Sequence, residues 1–184
     1  VIEKALERDA LKGWDGFGLA VQAYHKAAMK AVRHVQELAE ARKQRLHIRL
    51  VKGAYWDSEI KNTQVAGLSQ FPVYTRKSHT DLSYLTCASQ MFKARGFLYP
   101  MFGTHNAHSV AAISEMAADH GGAAFEFQRL FGMGQGLYEV LAARDPSAKV
   151  SVYAPVGPHE DLLPYLVRRL LENASTMSGR AALL

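Results

Sequence analysis

Two neighbouring arginines near the end of the sequence could bind a small carboxylate. A helix would place Tyr165, Arg168, Arg169 and Glu172 in one stripe. Counted from Tyr165, the other three follow after three, four and seven residues. Guanidinium groups bind a carboxylate through paired hydrogen bonds, and a tyrosine ring adds a wall. The alternative, which spacing alone favours, is a solvated face with an internal Arg–Glu pair. The opposite side is predicted to face the core, with Leu163, Leu166, Val167, Leu170 and Leu171.

A second set of reactive side chains begins at Arg49. Arg49 and Lys52 put charge on both faces of a run that otherwise predicts a buried strand. Because unpaired buried charges are costly, they must face a ligand, a partner or the open end of a sheet. Gly53 would let a ligand approach the backbone, and Tyr55 with Trp56 could stack on a planar ring. A structural salt bridge beside an aromatic core cluster is an equal alternative.

Three further segments could contact phosphate. Thr104, His105 and Asn106 end a strand and begin a helix, where a hydroxyl, an imidazole and helix amides favour anions. Ordinary helix capping explains the same residues. Residues 74–77 offer a weaker phosphate contact, and residues 132–136 are glycine-rich but lack the spacing of a nucleotide-binding loop, so they predict a turn.

Composition limits the function classes. With 48% apolar and 21% charged residues in 184, the sequence is typical of one soluble globular domain. One cysteine, Cys87, and eight scattered histidines do not make a zinc site, so we expect no metal. The formal charge of +5 comes from scattered Lys and Arg, which fits an anionic ligand. We therefore expect no nucleic acid to be bound, and a basic phosphate- or nucleic-acid-binding domain is the minor alternative.

The elements that must position these residues alternate along the chain. Strands are predicted over residues 18–24, 47–53, 98–104, 123–130 and 149–155. Helices are predicted over residues 26–45, 81–95, 107–120, 135–143 and 161–173, with a polar turn region after the second strand. Five consecutive βα units predict a parallel α/β sheet. Polar residues at four strand ends (Gln22, Lys52, Thr104 and Arg129) favour a closed (βα)8 barrel over an open sheet.

Several segments, taken in order, resemble the proline dehydrogenase family. They are residues 18–24, 49–61, 74–77, 104–106, 128–134, 153–157 and 165–173. Within the family, these segments most resemble the proline dehydrogenase domain of the bifunctional bacterial members known as proline utilization A. The family fold is a (βα)8 TIM-type barrel holding FAD, which oxidises L-proline to pyrroline-5-carboxylate and passes electrons to a membrane quinone.

The resemblance implies that residues 1–184 are the C-terminal part of this barrel and supply roughly its last five βα units. Strands one to three, with an active-site lysine and aspartate, have no counterpart here. They are expected elsewhere in the protein, together with an aldehyde dehydrogenase domain. A cytoplasmic protein, peripherally associated with the inner membrane when it delivers electrons, is also implied. A catalytically incomplete fragment or interaction module is the alternative.

Individual residues take roles from the same resemblance. The catalytic residues would be Arg49 and Tyr153. The substrate-binding residues would be Arg168, Arg169, Tyr165, Tyr55 and Leu130. The FAD-binding residues would be Gln22, Arg49, Val51, Lys52, Gly53, Trp56, Thr75, Arg76, Thr104 and His105.

Overall fold

A computed structural model describes the backbone of residues 2–177 and the side chains of residues 2–170. Within them, one sheet contains the strands β1 (Gly18–Gln22), β2 (Leu46–Val51), β3 (Leu98–Gly103), β4 (Glu126–Leu130) and β5 (Val150–Tyr153). The strand order follows the chain, and each strand pairs in parallel with the one before it. The predicted parallel sheet of five βα units is therefore confirmed, with strands shorter than predicted.

The helices account for most of the remaining chain. They are α1 (Ile2–Leu6), α2 (Ala28–Arg42), α3 (Trp56–Val65), α4 (Lys77–Lys93), α5 (Ala107–Asp119), α6 (Gln135–Arg144) and α7 (His159–Met177). The prediction of a polar turn region after the second strand was wrong, because α3 lies there. Of its ten residues, all described, Thr63 alone is buried, so the segment lacks the apolar periodicity that identifies a helix.

The two faces of the sheet differ in chemistry because successive strand residues point to opposite sides. Toward the helices, Ile48, Leu50, Phe102 and Phe127 are fully buried. Burying each such side chain stabilises the fold by about 1.5–3 kcal/mol. Phe102 also packs edge-on or tilted against other aromatic rings, at centroid distances of 5.4–6.4 Å: Tyr84, Phe92, Phe125 and Phe127. The alternate residues of β2, which include His47 and Arg49, form the inner face and are half-buried.

Helix α7 does not bury the apolar stripe predicted for it. Leu163, Leu166, Val167 and Leu170 are between 36% and 58% exposed. Helix α7 instead contacts the described part of the chain through Arg168 and Arg169, which lie against the Tyr55 ring. The side chains of Leu171 and Glu172 lie outside the described residues. Of the helices described, none is long and apolar enough to cross a membrane.

Candidate functional site

A cavity of about 750 Å³ opens beside the carboxyl ends of β1, β2, β3 and β5. Its size is in the range of small-molecule and cofactor sites, and its position is the one that active sites occupy in parallel barrels. Most of the predicted site residues line it: Gln22, Arg49, Val51, Lys52, Gly53, Tyr55, Trp56, Thr75, Thr104, His105, Tyr153, Tyr165, Arg168 and Arg169.

Three residues singled out from the sequence lie off this wall. Arg76 is exposed at the start of α4. Leu130 is fully buried, and its backbone N–H donates to Nε2 of His105 at 3.0 Å. Arg129 extends to the carbonyl of Met133 at 3.2 Å, since it alternates with the inner-face residues of β4. The structure therefore does not bring these side chains to the cavity surface.

Arg49 is fixed on the cavity wall by three neighbours. Its Nε donates to Oε1 of Gln128 at 2.7 Å, and its guanidinium carbon lies 4.8 Å from the centre of the Tyr153 ring. A Cβ on Gly103 would stand 3.1 Å from Nη2, so the missing side chain makes room for the guanidinium. Burial raises the pKa of Tyr153, and the charge of Arg49 offsets this only in part. A fixed cation thus lies against a neutral phenol.

The paired arginines of α7 gather around one exposed ring. The guanidinium carbons of Arg168 and Arg169 lie 5.4 and 5.5 Å from the centre of the Tyr55 ring, and that of Arg169 also lies 4.9 Å from Tyr165. Each contact is within cation–π range. Nε of Arg168 is buried with no hydrogen-bond partner in the described structure. Because buried donors are normally paired, a ligand acceptor would satisfy this group.

Two lysines on the wall share one carboxylate. Nζ of Lys52 lies 2.6 Å from Oδ1 of Asp81, and Nζ of Lys77 lies 2.7 Å from Oδ2. Burial would raise the pKa of Asp81, but the hydrogen bonds from both lysines outweigh it, so the pKa is lowered. Asp81 therefore stays ionised and holds two positive groups at the edge of the cavity. Sequence reasoning missed Asp81, because it lies 29 residues from Lys52 and on another element.

The start of α5 is both a capped helix end and part of the wall. Oδ1 of Asn106 accepts the backbone N–H of Ser109 at 2.9 Å, and Oγ1 of Thr104 accepts that of Asn106 at 3.2 Å. The capping alternative is thus present. Thr104 and His105 nonetheless line the cavity, where the amino end of a helix favours negative charge.

The segment after β2 is shaped by a backbone constraint. Gly53 has a φ of +125°, and a Cβ there would lie 2.4 Å from the Tyr24 ring. This position therefore requires glycine for its conformation and for packing, in addition to leaving space on the wall. Nε1 of Trp56 donates to the Tyr74 carbonyl at 2.8 Å, which fixes an indole that is 41% exposed.

The family model "Proline dehydrogenase" matches residues 1–181 of this chain. The chain belongs to the proline dehydrogenase family. It is 48% identical over 183 residues to the bifunctional protein PutA of Salmonella typhimurium, covering 97% of the chain and 14% of that protein. It is 29% identical to mitochondrial proline dehydrogenase 2 of Arabidopsis thaliana, covering 88% of the chain and 35% of the plant protein.

Solved structures in the proline dehydrogenase family agree with the fold. A mutant of Bradyrhizobium japonicum proline utilization A is 54% identical, with a TM-score of 0.87, over 94% of this chain and 18% of that one. The Bdellovibrio bacteriovorus homologue inactivated by N-propargylglycine is 34% identical, with the same TM-score, over 94% of this chain and 18% of that one. The predicted fold class, a proline dehydrogenase barrel-type α/β fold, is thereby confirmed. The chain spans 14% of the length of the bacterial curated relative above.

Proposed function

We propose that this chain forms the FAD- and proline-binding part of a proline dehydrogenase barrel. Its reaction would be the oxidation of L-proline to pyrroline-5-carboxylate, with electrons passed to a quinone at the membrane. Residues 1–184 would supply the last five βα units, and other barrel strands and an aldehyde dehydrogenase domain would belong to the rest of the protein. The observation that carries the proposal is that Arg49, Arg168 and Arg169 line one cavity together with the rings of Tyr55, Tyr153 and Tyr165.

The substrate part of the proposal depends on the wall formed by α7. The guanidinium groups of Arg168 and Arg169 would hold the proline carboxylate. One carboxylate oxygen would accept a hydrogen bond from the unpartnered Nε of Arg168. The apolar ring of proline would lie against the rings of Tyr55, Tyr153 and Tyr165. Such an arrangement binds an amino acid that has a carboxylate and a compact apolar side chain.

The cofactor part depends on the strand ends. The cavity has the volume for a cofactor, and Trp56 offers a planar surface beside Gly53. Lys52, Lys77 and the start of α5 give a positive region suited to the phosphates, with Thr75 on the same wall. FAD, when bound, supplies the two-electron oxidation that protein side chains cannot perform.

The role of Arg49 follows from its fixed charge. A preorganised cation stabilises negative charge that develops during a reaction without the cost of reorienting solvent. Gln22 lies on the same wall and would hydrogen-bond the polar edge of the cofactor ring. Because its pKa is raised, the Tyr153 hydroxyl stays protonated and acts as a hydrogen-bond donor, not as a base.

An anaerobic titration of the purified natural-length protein tests this function. The protein should be yellow, L-proline should bleach the flavin absorption, and an added quinone should restore it. Pyrrolidine, which lacks the carboxylate, should fail to bleach at the same concentration because the arginines have nothing to hold.

A colourless protein, or a flavin that proline leaves oxidised, would contradict the proposal and favour the non-catalytic alternative. A steep dependence of duplex DNA affinity on salt would instead favour a basic nucleic-acid-binding domain.

A further inference from the structure

The inner face of the sheet carries a row of hydrogen bonds that runs from Arg49 away from the cavity. Nε of Arg49 donates to Oε1 of Gln128 at 2.7 Å, and Nε2 of Gln128 donates to Oε1 of Glu126 at 2.8 Å. Both partners lie on β4, whereas Arg49 lies on β2. Because β3 lies between β2 and β4, the side-chain contact passes over β3. Strands β2 and β4 are about 10 Å apart, twice the spacing of neighbouring strands.

The glycine at the end of β3 leaves space for the Arg49 side chain to reach Gln128. Gly103 is paired with Gln128 on one side and Val51 on the other. A Cβ at Gly103 would lie 2.9 Å from a methyl carbon of Val51 and 3.1 Å from Nη2 of Arg49. The guanidinium thus passes over the one inner-face position of β3 at which no side chain blocks it.

The far end of the row is a buried and well-anchored carboxylate. Glu126 is only 6% exposed. It lies 2.9 Å from Nζ of Lys149, and it accepts hydrogen bonds from the hydroxyls of Ser151 at 3.1 Å and Tyr99 at 3.4 Å. Burial would raise the pKa of Glu126, but its hydrogen-bond donors, Gln128 first among them, outweigh that effect and lower it. Glu126 is therefore a fixed anion.

The amide of Gln128 stands between this anion and the guanidinium cation. An amide has one acceptor end and one donor end, so only one orientation pairs its oxygen with Arg49 and its nitrogen with Glu126. Leucine has the size but neither group. A glutamate at position 128 would place a second carboxylate next to that of Glu126, where the amide nitrogen now lies at 2.8 Å, and the two negative charges would repel.

We propose that Gln128 and Glu126 are positioning residues that orient the Arg49 guanidinium toward the bound flavin. Gln128 makes the direct contact, and Glu126 fixes the direction of the Gln128 amide. This inference rests on the proposed function, because it gives Arg49 its purpose at the cofactor. Neither residue lines the cavity described above, so both act through Arg49 and not by touching the ligand.

Three variants of the natural-length protein test it: Gln128→Leu, Gln128→Glu and Glu126→Gln. A loss of orientation should lower kcat about tenfold to a hundredfold for Gln128→Leu, the effect of a displacement of about 1 Å at a reacting centre. KM for proline should change less than about threefold, because the substrate contacts are intact. The flavin midpoint potential should become more negative, since the positive charge is no longer held beside the reduced ring.

The other two variants separate hydrogen bonding from shape. Gln128→Glu keeps the length of the side chain and an acceptor for Arg49, but it replaces the donor to Glu126 with a second carboxylate, so we expect the potential to become more negative as in Gln128→Leu. A wild-type potential in Gln128→Glu would overturn the proposal. Glu126→Gln keeps shape and some hydrogen bonds, and we expect a smaller shift in the same direction. If Gln128→Leu does not fold, these two same-size variants still decide: wild-type potential in both would overturn the inference.

Two controls complete the design. Gln135→Leu breaks an exposed Gln–Glu hydrogen bond of 2.9 Å on α6, and it should leave potential, kcat, KM and flavin content unchanged. Arg49→Met separates the role of Arg49 at the flavin from the positioning role of Gln128. If Arg49→Met lowers the potential and Gln128→Leu does not, positioning is wrong and the proposed function stands. If Arg49→Met also leaves the potential unchanged, the flavin role assigned to Arg49 fails.

Discussion

One wall of the cavity consists of strand ends and another of helix α7, and the two are anchored differently. The strand wall, represented by Arg49, Val51 and Gly103, belongs to a hydrogen-bonded ladder above fully buried side chains such as Leu50. The helix wall, represented by Arg168, Arg169 and Tyr165, meets Tyr55 through ring contacts, while its leucines are partly exposed. The fold itself therefore orients the strand wall, whereas contacts at the site orient the helix wall.

The largest expected effect breaks the helix wall. Arg168→Met with Arg169→Met should raise KM for proline at least about a hundredfold, because two charged hydrogen-bonding groups at roughly 1.5–3 kcal/mol each are lost. Flavin content and the free energy of unfolding should stay close to wild type, as measured by absorbance and denaturant titration.

The matched control for this variant is Arg33→Met with Arg144→Met, which removes two exposed arginines away from the cavity. It should leave KM unchanged. Loss of flavin with unchanged proline affinity in the Arg168/Arg169 variant would contradict the division between the two walls.

The next effect breaks the support of the strand wall. Phe102→Ala removes a fully buried ring from the aromatic cluster behind β3, and it should cost about 3–5 kcal/mol of unfolding free energy. KM of the protein that remains folded should be close to wild type. A large rise in KM with an unchanged free energy of unfolding would contradict this, because it would mean that contacts at the site, and not the fold, orient the strand wall.

The smallest effect concerns the ion pair between Lys52, on the strand wall, and Asp81, on α4. Asp81→Asn should destabilise the protein at pH 7 by at most about 1 kcal/mol, since the carboxylate is 35% exposed and screened by solvent. The pKa of Asp81 is lowered in the folded state, so its contribution is present above the ordinary value of about 3.9 and is lost as pH falls through the lower folded value.

The difference in stability between the wild type and Asp81→Asn should accordingly close below about pH 4 in acid denaturation series. Asp9→Asn is the control, because Asp9 pairs with Lys12 at the same 2.6 Å but is 92% exposed. A stability difference for Asp81→Asn that persists unchanged at low pH would exclude the ion pairs as its cause.

Local patterns predicted the elements that bury a periodic apolar face. Charges at Arg49 and Lys52 interrupted a strand pattern, and both residues line the cavity. The helix α3 was missed because seven of its ten residues are polar, which leaves no apolar face to detect. The apolar stripe of α7 was wrongly assigned to the core, since periodicity reports that a face is apolar and not what covers it.

Contacts between distant segments had no local signal. Lys52 and Asp81 lie 29 residues apart, and Arg49 and Gln128 lie 79 apart. Only the strand register, with Gly103 between them, shows that Arg49 and Gln128 can meet. Glu126 and Gln128 alternate with Phe127 along β4, and this local pattern does not identify a partner for either side chain.

The order of the strands has a consequence for synthesis on the ribosome. Since each strand pairs with its predecessor, the sheet can grow from the amino end as the chain emerges. Arg49 and Gln128 are separated by 79 residues, which takes roughly 4–16 s to translate at about 5–20 residues per second. During that interval the side chain of Arg49 has no Gln128 to contact, so β4 completes a geometry that β2 begins.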